Sequence, residues 1–295
     1  MEAKKVLFIY NPASGQGKVK TCLSDIIEIF MHADMEVLIY ATQAKHDAVK
    51  RVEEKGGSVD RIICCGWDGT LDEVVTGVMR TGLTTPIGYL PAGSANDFGT
   101  SLGIGMDMHE SAAVASSGSP FSCDVGHFNE DYFVYVAAFG LFTEASYSTS
   151  QDLKNVMGYM AYILEGAKDL MDIRSYHLEA ECDGERILGD YVYGMITNSE
   201  YIGGVKGLVG QNVGLDDGLF EITLVSFPKN PIELTEILGY FTGLNRDTKL
   251  VYSAKVKRVS LRFSEEVPWT LDGEYGGRHR EVEVEVLPAA VELLI

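Results

Sequence analysis

The chain has 295 residues, 46% of them hydrophobic and 23% charged, which are the proportions of an ordinary folded protein; that length is generous for one core, so two domains are expected. The formal net charge of −19 repels phosphate backbones, which argues against nucleic acid as a partner and against simple adsorption on anionic headgroups. No run approaches the ~18 apolar residues that a membrane-spanning helix needs.

In chain order, Val6 to Tyr10 is a near-continuous apolar run, as expected of a strand buried on both faces. Asn11 to Gly17 punctuates it, and Lys18 to about Ala33 reads as a helix. Glu36 to Thr42 is a second strand, followed by a charged helical stretch that ends near Gly56 and Gly57. Arg61 to Cys65 is the third strand, with a helix over Leu71 to Arg80. Pro86 to Leu90 is the fourth, followed by a loop to Asn96 and a short helix. Strands spaced by helices imply βαβ units and a mainly parallel sheet.

After about Ser122 the texture changes. Asp131 to Ala137, Tyr176 to Cys182, Tyr191 to Thr197, Leu219 to Val225, Lys255 to Phe263 and Glu281 to Leu287 read as strands, several alternating apolar with polar. Turns such as Cys182-Asp183-Gly184 link them, which predicts an antiparallel, sandwich-like second domain. One helix, about Asn155 to Met171, interrupts it. Met1 to Lys5 lead into the first strand without a cleavage site, so no signal peptide is expected and the protein is read as cytoplasmic. Cys22, Cys64, Cys65, Cys123 and Cys182 form no C-x-x-C pair, which fits reduced thiols, and the six histidines form no H-E-x-x-H pattern.

In an open parallel sheet, ligands collect at the carboxyl ends of the strands. The loops leaving strands one, three and four are each rich in Gly, Ser, Thr or Asn. Asn11-Pro12-Ala-Ser14-Gly15 offers backbone N–H groups and a hydroxyl at a helix start. Gly66-Trp67-Asp68-Gly69-Thr70 and Gly93-Ser94-Ala-Asn96-Asp97 each add a carboxylate. Taken singly, each loop is an ordinary helix-capping turn. Taken together, with Asp124, they suit a nucleotide phosphate chain with Mg²⁺. A P-loop is ruled out by Pro12 and Val19 at its glycine and hydroxyl positions, and there is no G-x-G-x-x-G, G-x-S-x-G or H-R-D motif.

Asn11-Pro-x-Ser-Gly15, Gly66-x-Asp-Gly-Thr70 with Leu71-Asp72-Glu73, and Leu90-Pro-x-Gly-x-x-Asn-Asp97 occur in the order seen in diacylglycerol kinase catalytic domains. Leu215-Asp-Asp217-Gly-Leu219 and Leu271-Asp272-Gly-Glu274 extend the likeness over nearly the whole chain. The sequence resembles the bacterial soluble lipid kinases of the diacylglycerol and sphingosine kinase superfamily, distant kin of NAD kinases. The resemblance implies an N-terminal α/β nucleotide domain over 1–126, rejoined by 288–295, and a C-terminal β-sandwich lipid-substrate domain over 127–287. It implies ATP and Mg²⁺ as cofactors, diacylglycerol as the acceptor, transient contact with a membrane surface, and a homodimer as an allowed state. Asn11, Pro12, Ser14, Gly15, Thr42, Gly66, Trp67, Asp68, Gly69, Thr70, Glu73, Gly93, Ser94, Asn96 and Asp97 match nucleotide-binding positions. Asp68, Asp97 and Asp124 match acidic residues linked to the catalytic Mg²⁺ through water, and Gly214, Asp217 and Leu219 match a structural metal site. Asp272 and Glu274 match the proton-accepting segment, with Asp272 preferred as base and a plain turn as the alternative.

The sequence departs from the family at Trp67, where a second glycine is usual. Three readings compete: an outward-pointing side chain that is tolerated, an altered nucleotide site, or a nucleotide-binding protein without catalysis. Asn155 to Met171 either covers its own domain's core or meets lipid, and Asn198 to Gln211 is a lid or a plain connection. A kinase for another lipid or for a small hydroxyl acceptor is the alternative function.

Overall fold

A computed structural model describes residues 3–93, 96–141, 174–199, 201–202, 205–206 and 213–295. Ser94, the helix expected over Asn155 to Met171 and most of Asn198 to Gln211 lie outside the described residues. The fold is mixed α/β with much sheet. The chain divides into two compact units, residues 1–125 with 287–295, and residues 126–286.

The first unit alternates strand and helix. Its elements are β1 (Lys4–Tyr10), α1 (Lys18–His32), β2 (Met35–Ala41), α2 (Asp47–Lys55), β3 (Arg61–Gly66), α3 (Asp68–Thr81), β4 (Ile87–Pro91), α4 (Asp97–Ser101), α5 (Met108–Ser117) and the start of β5 (Pro120–Phe128). β1 pairs in parallel with β2 and β3, and β3 with β4. Because side chains alternate across a strand, Val6, Phe8, Ile63, Cys65 and Leu90 share one face. There they bury against Val19, Ile26 and Phe30 of α1 and Met108, Ala112 and Ala115 of α5. That spacing of α1 residues is one helical stripe. Gly88 is needed on this face, since a Cβ there would lie 2.7 Å from the Ala115 methyl. β2 is an edge, which is why its apolar Leu38 and Ile39 remain exposed.

The second unit contains the end of β5, β6 (Asp131–Phe133), β7 (Val136–Gly140), β8 (Tyr176–Cys182), β9 (Glu185–Thr197), two short strands β10 (Tyr201–Ile202) and β11 (Val205–Lys206), β12 (Phe220–Ser226), α6 (Pro231–Phe241), β13 (Val251–Val256), β14 (Arg258–Leu271) and β15 (Glu274–Leu294), whose last residues belong to the first unit. β9 pairs antiparallel with β7, β8 and β12, and β14 with β7, β8 and β15. Trp269 is fully buried, with the rings of Phe128 and Phe139 each 4.9 Å away. The hairpins β8–β9 and β14–β15 turn on Asp183-Gly184 and Asp272-Gly273, all four residues at positive φ, the backbone of a two-residue turn matched to strand twist.

Several expected elements change. The run Lys255 to Phe263 is broken at Lys257 into β13 and β14, where Asp183 accepts the N–H of Lys257 and of Arg258 at 2.8 and 2.9 Å. Asp131 to Ala137 is likewise two strands, β6 and β7. α5, α6 and β5 are additions to the expected elements. Local signals for α6 exist: the Asn230 side chain accepts from Ile232 and Glu233, Pro231 opens the helix, and Glu233 reaches back to the Lys229 N–H at 2.7 Å.

Candidate active site

Three of the expected loops leave neighbouring parallel strands of the first unit. The Asn11 N–H donates to the Cys65 carbonyl at 2.9 Å, and the Ala92 N–H donates to the Gly66 carbonyl at 2.8 Å. These two bonds extend the β1–β3 and β3–β4 ladders by one step and hold the three loops in register.

In the first loop, the Asn11 side chain accepts the Ala13 N–H at 2.9 Å, an Asx turn around Pro12. Gly15 has φ +59, a conformation that glycine adopts without cost. Ser14 is fully buried, yet its Oγ has no hydrogen-bond partner among the described residues. A buried hydroxyl without a partner is costly, so this one suits a ligand or a water.

In the second loop, α3 begins at Asp68, earlier than the Leu71 expected, so Asp68, Gly69 and Thr70 form its first turn and Trp67 is the N-cap. Trp67 has φ −76 and ψ 172, extended backbone open to any residue. Glycine-like freedom is therefore not required at this position, and the indole is 48% exposed. Gly66 does require the absence of a side chain, because a Cβ there would collide with the Thr70 side chain. Asp68 carries a bond that the sequence did not suggest. The hydroxyl of Tyr89, on β4, lies 3.1 Å from Asp68 Oδ1 and 3.3 Å from the Gly66 carbonyl. Burial, and then the charge of Asp68, push the Tyr89 phenol well above its usual range.

The third loop is closed by Asn96. Its Oδ1 accepts the Gly93 N–H at 2.7 Å and its Nδ2 donates to the Gly93 carbonyl at 2.8 Å, so one side chain brackets the loop. Asp97 follows as the buried first residue of α4. Asp124 is buried on β5, and its Oδ1 accepts the Ala289 N–H at 2.8 Å. Thr42 caps β2, donating its N–H to the Tyr10 carbonyl at 2.9 Å. Glu73 braces a neighbouring helix, since its two oxygens accept the N–H groups of His46 and Ala48 at 2.7 and 3.1 Å and so fix the start of α2.

In the second unit, Asp272 and Glu274 flank a turn but differ in setting. Asp272 is 4% exposed and its carboxylate accepts from Val134, Tyr135 and Val136 at 2.6, 3.0 and 2.8 Å. Glu274 is exposed. Asp217 accepts its own loop's Leu219 N–H at 3.0 Å and the Lys255 ammonium at 2.7 Å. A cation held by Gly214, Asp217 and Leu219 would have to share that carboxylate with Lys255.

No three His, Cys, Asp or Glu side chains among the described residues converge to cage a metal ion. That is no obstacle to Mg²⁺, which keeps several waters and takes one or two carboxylates together with phosphates. The donor set of the first unit, all carboxylate with an unpartnered Ser14 hydroxyl beside a glycine turn, fits a hydrated divalent ion bound with a nucleotide.

Comparison with known proteins gives a consistent result. Residues 5–128 match the diacylglycerol kinase catalytic domain, and residues 137–295 match the YegS C-terminal NAD kinase beta sandwich-like domain. The chain is 32% identical over 281 residues to a diacylglycerol kinase of Bacillus subtilis (strain 168), covering 93% of this chain and 91% of the relative. It is 33% identical over 280 residues to a diacylglycerol kinase of Staphylococcus carnosus (strain TM300), covering 93% and 90%. A crystal structure of a diacylglycerol kinase from Bacillus anthracis str. Sterne superposes with a TM-score of 0.76 at 25% identity, covering 100% of this chain and 97% of that one.

Proposed function

The chain belongs to the diacylglycerol kinase catalytic-domain family and is an ATP-dependent lipid kinase, and from that premise we propose that it phosphorylates diacylglycerol to phosphatidic acid. One observation carries the reading: the Ala92–Gly66 bond sets the Asp68 turn and the Asn96–Asp97 turn side by side at the ends of paired strands. In this reading the expected nucleotide domain, 1–126 with 288–295, is the first unit and the expected lipid-substrate domain, 127–287, the second, the bounds lying one residue from those of the two compact units.

In this proposal Asn11, Pro12, Ser14, Gly15, Thr42 and the Gly66–Thr70 turn hold ATP, the last at the N-terminal end of α3, where N–H groups and the helix dipole favour phosphate. Gly93, Asn96 and Asp97 complete the phosphate side, and Trp67 lies at its rim without straining the backbone. Asp68, Asp97 and Asp124 would hold Mg²⁺ through its waters; when bound, the ion neutralises the phosphate oxygens as charge builds on them. A base must then take the proton of the lipid hydroxyl. Asp272, preferred from sequence, is the weaker candidate, since three N–H donors already occupy its oxygens. Glu274, exposed one residue beyond the turn, takes the role, and Asp272 locks the turn that carries it.

The acceptor is a membrane lipid, so the reaction is placed at the membrane surface by a cytoplasmic protein that visits it; no helix among the described residues is long and apolar enough to cross a bilayer. The test is γ-labelled ATP with Mg²⁺ and mixed micelles carrying diacylglycerol, monoacylglycerol, a sphingoid base and an isoprenoid alcohol. Label in phosphatidic acid, absent in Asp68→Asn and Glu274→Gln, is expected. Label confined to another lipid would replace the substrate, and no label in any lipid would sink the lipid-kinase reading.

A further inference from the structure

We propose that Tyr89 is a positioning residue of the phosphoryl-transfer site, its buried hydroxyl donating to Asp68 Oδ1 and fixing the carboxylate that meets the nucleotide's metal. This rests on the reading of Asp68 given above. Register explains how Tyr89 reaches Asp68: β4 places it opposite Cys64, two residues before β3 ends, with its ring on the side chain face that includes Ile87. The ring is 1% exposed. It packs under α4, where a Cβ at Gly99 would come within 3.3 Å of Tyr89 Cε1. From there the hydroxyl has two acceptors, Gly66 O at 3.3 Å and Asp68 Oδ1 at 3.1 Å. A phenol has one proton to give, and the nearer, charged oxygen takes the larger share.

A leucine or phenylalanine would fill this part of the core without bringing in a polar atom. Burying a hydroxyl is costly unless it is bonded, so its presence here is explained by the bond it makes. Asp68 also begins a helix and lies on the rim of the phosphate loops. The Tyr89 bond ties its Oδ1 to the rigid floor of the sheet. Mg²⁺ tolerates little departure from octahedral geometry, so a carboxylate held in one orientation binds its hydrate better than one that wanders. The hydroxyl thus acts through Asp68 and touches neither nucleotide nor lipid.

The experiment measures ADP binding by titration calorimetry, with Mg²⁺ and with EDTA, for the wild type, Tyr89→Phe, Asp68→Asn and the double variant. Phenylalanine keeps the ring under Gly99, and Tyr89→Leu provides a second hydroxyl-free variant should the first be unstable. Tyr89→Phe should bind metal-free ADP as the wild type does, lose about 10-fold of the tightening that Mg²⁺ brings, and lower kcat more than it raises the KM for ATP. In the Asp68→Asn background the same substitution should add nothing, the mark of a shared interaction. A loss equal with and without Mg²⁺, a loss additive to Asp68→Asn, or wild-type metal dependence in both hydroxyl-free variants would overturn the role while leaving the kinase reading intact. A wild type that binds no nucleotide under either condition would overturn that reading, and this role with it.

Discussion

Asp272 holds Val134 at 2.6 Å from Oδ2, while Oδ1 takes the next two N–H groups of the same segment, so one carboxylate fastens the β14–β15 turn to the β6–β7 connection. The Asp272 N–H returns the bond by donating to the Val136 carbonyl at 2.8 Å. The two acids of the Asp-Gly-Glu segment should therefore separate on substitution. Asp272→Asn turns an NH₂ group toward N–H donors and should cost about 2–4 kcal/mol of stability in urea denaturation. Glu274→Gln should shift the unfolding midpoint less than Asp272→Asn does and lower turnover by about 100-fold or more. An Asp272→Asn protein of native stability without activity would return the base to Asp272.

The indole of Trp67 offers a direct probe. Trp67 is half-exposed and the other tryptophan, Trp269, is fully buried, so added quencher should reach Trp67 alone. ATP should change the emission and protect it from acrylamide. Because φ at Trp67 is −76, Trp67→Gly relieves no strain, and nucleotide affinity should move by less than about 10-fold. A gain of several orders of magnitude would mean that the indole blocks the phosphate site.

Gly66 is the less forgiving neighbour. A Cβ would strike the Thr70 side chain, and shifting Thr70 would disturb the first turn of α3. Gly66→Ala should abolish measurable nucleotide binding at concentrations that saturate the wild type while the second unit stays folded by circular dichroism. Retained binding would show that the turn can relax, which its bonds to Ala92 and Tyr89 argue against.

Glu221 gives a pH dependence of known sign. It is 2% exposed on β12, and burial raises its pKa from 4.5 to about 7 despite Lys255, whose Nζ lies 3.5 Å away. The folded protein keeps this proton after the unfolded chain has released it. Stability from this residue is therefore lost as pH rises from about 4.5 to about 7. Unfolding free energies of Glu221→Gln and wild type should diverge in the variant's favour by on the order of 1 kcal/mol between pH 5 and pH 7.5. A constant gap would mean that Lys255 holds Glu221 ionised throughout.

What can be read from the sequence divides along physical lines. β8 is bounded at Tyr176 and Cys182 because it alternates strictly, and its turn is visible in Asp183-Gly184. The loops after β1, β3 and β4 are legible because their glycines, and in the last two their carboxylates, are local in sequence. Tyr89 is not, since its partner lies 21 residues away and they meet only through the β3–β4 register. The clamping role of Asp272 is hidden for the same reason, 136 to 138 residues separating it from the N–H groups it binds. Tyr89 reads as an ordinary tyrosine in an apolar strand and Asp272 as a candidate base in an Asp-Gly-Glu turn, until pairing brings a distant carboxylate or backbone beside each. Leu38 and Ile39 show another limit: the apolar run marks a strand, and only the strand order shows it to be an edge with these two side chains exposed.

The last residues of the chain close the sheet of the first unit. Leu293 and Leu294 pair in parallel with Ile87 and Gly88, and Ile295 exchanges two backbone bonds with Ser119. During synthesis, the first unit must therefore wait. Its first 125 residues leave the ribosome with β4 unpaired on one side, and everything from 126 to 286 must follow before the missing strand arrives. Asp124 waits as well, because the N–H that its Oδ1 accepts belongs to Ala289. A chain interrupted before residue 287 would hold the loops after β1, β3 and β4 yet lack the strand beside β4 and the partner of Asp124, so the first unit is finished only by the residues made last.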